Sequence, residues 1–146
     1  MEQTRKHLKF SSLAILALAA LSLINIVSEL LFGELNNAEI PAGSPDNIFL
    51  ITKIILMVVS LVCVLPQVYI GIKGLKIAQN PDSSKGHIVW GIILLVFAII
   101  GMISPLLAVI KQEEVFENAS ALLSILIEVA FFYDYVKSAK AVANEN

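Results

Sequence analysis

The chain has 146 residues, 58% of them hydrophobic and 15% charged, with a net charge of −2 and a mean hydropathy of +0.84. The apolar share lies above that of soluble domains and the charged share well below it, and the excess sits in long runs, so one compact integral membrane domain is expected. The single cysteine, Cys63, has no CxxC or Cys/His ligand spacing around it, which excludes the thiol oxidoreductases that depend on cysteine pairs.

Met1 to Phe10 contains Arg5, Lys6, His7 and Lys9 and is followed by the apolar run Ser11 to Phe32. This beginning imitates a signal peptide, with Ala17-Leu18-Ala19 as a mock cleavage site, but the apolar stretch continues for about a dozen residues more. At roughly 20 or more residues the run is long enough to cross a bilayer of about 30 Å. It reads as a retained first transmembrane helix over about 10–32. Gly33 suits its C-terminal cap. Ser44 followed by Pro45 supplies an N-cap hydroxyl and then a proline whose missing N–H costs nothing, opening a second helix at 46–79. Pro66 removes one hydrogen bond from that helix and crowds the carbonyl of Val62, which predicts a kink.

Asn80-Pro81-Asp82-Ser83-Ser84 is a turn. Ser83 or Ser84 is expected to cap a third helix at 85–110, which carries Pro105 near its far end. Lys111 to Glu114 then connects to a fourth helix at 115–142. The expected fold is an all-α integral membrane protein, a bundle of four transmembrane helices. No internal repeat relates its halves, so an inverted-repeat transporter is not supported.

Arg5, Lys6, Lys9, Lys73, Lys76, Lys85, Lys137 and Lys140 fall on one side of this layout, against Lys111 alone in a loop on the other. Basic residues stay on the cytoplasmic side, so both termini are expected in the cytoplasm and the plasma (inner) membrane is the expected location. The opposite loops are acidic, with Glu34, Glu39, Asp46, Glu113, Glu114 and Glu117. Trp90, Tyr69, Tyr133 and Tyr135 are placed near the inner boundary, and Phe32, Phe49 and Phe116 near the outer one.

Three of the helices each carry a polar line. The first has Ser11, Ser22, Asn25 and Glu29; the second has Asp46, Lys53, Ser60, Gln67 and Gly74; the fourth has Glu117, Ser120, Ser124, Glu128, Tyr135 and Ser138. Polar lines in hydrocarbon are expected to face the bundle interior. At about 1.5 Å per residue, Glu29 and Lys53 share a level roughly 10 Å outside the midplane and form the natural ion pair or gate. Glu128 falls within about 3 Å of the midplane by the same count. No basic residue matches its depth, and its expected neighbours are Ser22, Ser60, Ser124 and Gln67, with Asn25 further out.

Desolvation holds such an acid in its neutral, hydrogen-bonding form unless a proton or cation pathway reaches it. Glu128 is therefore either a neutral helix cross-link or a proton or cation site. The third helix carries small residues at packing spacing, Gly91, Ala98, Gly101 and Ala108, which let another helix approach closely, within the bundle or from a second copy. His7 and His87 are single and placed at the interface, and no metal site is expected. Asn118-Ala119-Ser120 fits the glycosylation pattern, but at the membrane edge it reads as a chance match.

No Walker loop, nucleophile elbow, HExxH or paired aspartate motif for lipid headgroup transfer is present, so no enzymatic activity and no cofactor are expected. The residues support a small non-enzymatic multi-pass protein, structural, accessory or oligomer-forming. The alternative is a small cation- or proton-linked channel or transporter subunit using Glu128. The expected partners are the lipid bilayer and a second copy or another membrane protein, with no nucleic acid.

Overall fold

The computed structural model describes residues 2–32, 48–80, 85–112 and 115–144. Among them the chain forms α1 (Glu2–Phe32), α2 (Ile48–Gln79), α3 (Gly86–Gly101), α4 (Ile103–Ile110) and α5 (Val115–Asn144). Four stretches are long and apolar enough to cross a membrane: Glu2–Ser28, Met57–Gln79, Gly86–Ile110 and Val115–Asn144. The fold is thus a helix bundle of a membrane protein, with α3 and α4 as two pieces of one span.

Helix α1 begins at Glu2, about two turns before the expected start. The early segment holds good helix formers and no breaker, and Lys6 Nζ lies 2.7 Å from Glu2 Oε1 one turn away. That exposed pair contributes little by itself. The stronger cause is packing, since Leu8, Ser11 and Ser12 of this segment are fully buried. At the start of α3 the N-cap position falls on Lys85, which makes no side-chain cap bond. Ser83 and Ser84 lie outside the described residues.

The two helix prolines behave differently. Helix α2 runs uninterrupted through Pro66, whereas the third span breaks at Met102, three residues before Pro105. Pro105 cannot donate to the carbonyl of Gly101 and its ring crowds that carbonyl. The Met102 N–H is shared between the carbonyls of Ala98 and Ile99, each at 3.2 Å, the tightened geometry of a helix end. Helix α4 closes with Gln112 in the left-handed region at φ 60°, its N–H donating to the Val109 carbonyl at 3.0 Å.

The helices form a ring in which α1 packs on α2 and α5, and α3 packs on α5 and α2, while α4 continues along α5. The core lies entirely toward the end that carries both chain termini. It is built from Leu8 and Ile15 of α1, Ile70 and Ile77 of α2, Ile88 of α3, and Phe132, Tyr135, Ala139 and Val142 of α5. Among the described side chains of 20–61 and 92–131, none is buried.

Tyr135 is the largest fully buried side chain, and two glycines make room for it. A Cβ added at Gly74 would run into Ser12 Oγ and Tyr135 Cε2, and one at Gly91 would lie 3.1 Å from both Tyr135 Cδ1 and Val136 Cγ2. Small residues at these points let the backbones approach, the main route to helix association in lipid. The serines there satisfy themselves locally: Ser12 Oγ donates to the Leu8 carbonyl at 2.6 Å and Ser11 Oγ to the His7 carbonyl at 2.9 Å. The polar lines therefore face inward at this end, where Ser11, Gly74, Tyr135 and Ser138 are buried. At the other end they do not, and Asn25, Glu117, Ser120 and Ser124 are exposed. Bulky residues such as Ile51, Ile54, Ile55, Val58 and Val59 stand exposed on the far stretch of α2, which holds no glycine.

Candidate functional site

Glu128 sits where the packed core gives way to the separated half. Phe132, one turn further along α5, is 2% exposed, whereas Glu128 is only partly buried and Ser124, one turn before it, is exposed. The Glu128 side chain lines a cleft of about 830 Å³ bounded by residues 62–69 of α2, 90–101 of α3 and 125–132 of α5. Helix α5 forms the back wall, because it packs closely on α3 but touches α2 little. The front is open where Leu65, Tyr69, Trp90 and Phe97 are exposed. The mouth opens on the flank of the bundle, between residues of the apolar stretches.

The lining is overwhelmingly apolar, with Leu94, Ile93, Phe97 and Phe132 prominent. The strongest polar groups in it are Glu128 and Gln67. The Gln67 Oε1 atom is buried and has no hydrogen-bond partner among the described residues. Among them Glu128 likewise makes no hydrogen bond to a neighbouring helix. A cleft of this size, apolar with a few convergent polar groups, has the character of a small-molecule site. Cys63 also lines it as a free thiol.

Of the expected neighbours of Glu128, the structure brings only Gln67 to it. Ser124 is exposed, and Ser22 and Asn25 belong to α1, half-buried and exposed respectively, outside the cleft lining. The physical reason is the ring arrangement: α1 packs on one flank of α5 and the cleft opens on the other. The side chains of Ser60, Lys53 and Glu29 lie outside the described residues, and with them the expected ion pair. The small-residue line of the third span is divided. Gly91 is spent on Tyr135, Ala98 lines the cleft, Gly101 meets nothing within 4 Å of an added Cβ, and Ala108 borders a shallow hollow with Ile103, Leu107 and Lys111.

Two residues placed at the interface by the sequence belong to the core. Tyr135 is fully buried, as is His87, and the two rings meet edge to face with centroids 6.2 Å apart. The spacing of Tyr135 on one line with Glu128 was the available signal, and glycines at 74 and 91 with no other task were the second. Trp90, Tyr69 and Tyr133 are exposed. Asp134 Oδ1 lies 3.7 Å from His7 Nδ1 of α1. Ser120 Oγ donates to the Glu117 carbonyl at 2.7 Å, a bond local to its own helix.

Compared with known proteins, the chain matches no family model, and no curated protein or solved structure matches it.

Proposed function

We propose that the chain is a small, non-enzymatic, multi-pass protein of the plasma membrane, with both termini cytoplasmic, that handles a proton or cation at Glu128 as a channel or transporter subunit. One observation carries this reading: the carboxyl lines a cleft and makes no helix-to-helix hydrogen bond among the described residues. A neutral acid retained only to cross-link helices would have its partner on the facing helix, because an unpaired carboxyl in hydrocarbon costs several kcal/mol, on the order of 3. The eight-to-one distribution of basic residues supports the orientation, and it sets the side from which each half of the bundle is reached.

The test is flux in proteoliposomes. Glu128→Gln preserves shape and hydrogen bonding while removing the titrating proton, so proton or cation flux is expected to fall by about tenfold or more, with thermal stability unchanged. Wild-type flux from the variant overturns the reading.

A second reading, a structural or accessory protein that assembles with a copy of itself or another membrane protein, is favoured by the separated half of the bundle. Asn25 and Ser124 stand exposed there within the apolar spans, and polar side chains in that setting are satisfied by protein. In that case Glu128→Gln leaves flux unaffected, and cross-linking through this half captures the neighbour.

A further inference from the structure

Resting on the reading of Glu128 as the ligand-handling group, the chemistry of the cleft narrows what it takes. We infer that the cleft is a binding site for an amphipathic organic ammonium ion, with its N–H donors on the Glu128 carboxyl and its apolar body against the aromatic wall. Size is the first argument. A volume of about 830 Å³ falls in the range that holds drug-sized molecules and far exceeds a bare ion. An inorganic cation also demands many oxygen ligands, about six to eight for calcium, and among the described residues the cleft offers the single carboxyl of Glu128.

Charge is the second argument. Among the described residues the lining holds no lysine or arginine, so an anion would meet the Glu128 carboxyl without compensation. A purely apolar guest would cover the Glu128 carboxyl without giving it a partner, at the desolvation penalty of that group. An ammonium N–H pairs with it, and the bond to an ionised carboxylate is of the stronger, charge-assisted kind. The third argument is the wall itself. Tyr69, Trp90, Phe97 and Phe132 all line the cleft, and aromatic faces attract cations most strongly where water is excluded. The mouth on the flank of the bundle admits a guest already dissolved in the membrane, which is where an amphipathic ammonium concentrates.

Trp90 is the only tryptophan in the chain and lines the cleft, so its fluorescence reports occupancy directly. The full-length protein in zwitterionic lipid nanodiscs is titrated with diphenylpropylammonium, and in parallel with the neutral diphenylpropanol and the anionic diphenylpropanoate. The expected result is saturable quenching by the ammonium, with the alcohol and the carboxylate weaker by about tenfold or more. Glu128→Gln is expected to weaken the ammonium by about tenfold, and Glu128→Asp to retain binding. Equal binding of the alcohol and the ammonium to the wild-type protein, a comparison that needs no variant, overturns the inference and marks a groove for lipid chains. So does unchanged affinity in a folded Glu128→Gln protein. Glu128-dependent proton flux without ammonium binding overturns the inference alone and leaves the proton reading of the site standing. Absence of both removes both.

Discussion

The half of the bundle that carries both termini and the half beyond Glu128 use the same helices and similar apolar residues, yet only the first has an interior. In the first, Gly74 and Gly91 face Tyr135 and the backbones close around one aromatic ring. In the second, the described side chains of α1, α2 and α4 are exposed or half-exposed throughout. Hydrophobicity does not distinguish the two, because lipid is as apolar as leucine and burying one against the other gains little. Shape does. Where glycine and serine allow close approach, the helices lock; where β-branched residues stand at the same spacing, no described side chain is buried. Glu128 lies at the boundary, and the cleft is what that boundary encloses.

The strongest way to break this contrast is to remove the ring. Tyr135→Ala leaves a cavity where α1, α2, α3 and α5 meet, and a loss of about 3–5 kcal/mol is expected from truncating a buried aromatic. Thermal unfolding in nanodiscs measures it. Tyr135→Phe is the control. The Tyr135 hydroxyl is buried without a hydrogen-bond partner among the described residues, so the phenylalanine is expected to be as stable as the wild type or slightly more so. If Tyr135→Phe costs as much as Tyr135→Ala, the hydroxyl and not the packing holds this end.

Gly74→Ala attacks the same place from the opposite side. Its added methyl meets Ser12 Oγ and the Tyr135 ring, and neither can retreat because both are fully buried. The expected loss is about 2–3 kcal/mol, that of an overpacked interior, read as a lowered unfolding temperature. An unchanged temperature would mean that α1 and α2 slide past one another freely and that the close approach is not what fastens them.

Much of this was legible in the residues. The four spans follow from run length, and the membrane class from composition. That Glu128 is the notable group follows from its depth and the absence of a basic residue at its level. Its neighbours did not follow, because a polar line on one helix specifies a direction but not which flank of the helix meets which partner. Ser22 and Ser124 were expected beside Glu128 and still miss the cleft lining, whereas Gln67 reaches it through the ring order of the helices. The core around Tyr135 was hidden for a related reason. Tyrosine near a span end reads as a boundary anchor, and only the facing glycines, distant in sequence, turn it into a core residue. Pro66 and Pro105 could not be ranked from sequence either: α2 runs uninterrupted through Pro66, which follows buried Val64 and precedes buried Ile70, while Pro105 lies in a helix with no buried residue.

The finest test uses two glycines that the sequence placed on one packing line. At Gly91 an added Cβ would lie 3.1 Å from Tyr135 Cδ1 and Val136 Cγ2, while at Gly101 it would meet nothing within 4 Å. Gly91→Ala is therefore expected to cost about 1 kcal/mol, since its neighbours have to give by a few tenths of an ångström. Gly101→Ala is expected to cost nothing and to gain up to about 0.5 kcal/mol, because alanine restricts the unfolded chain and favours the helix. The difference between the two unfolding temperatures measures how sharply packing falls off along a single helix. A loss at Gly101, or a change in oligomeric state with that substitution, would show that another chain occupies the space beside it. The separated half would then be an interface between molecules, and the cleft at Glu128 would be closed on its open side by that neighbour.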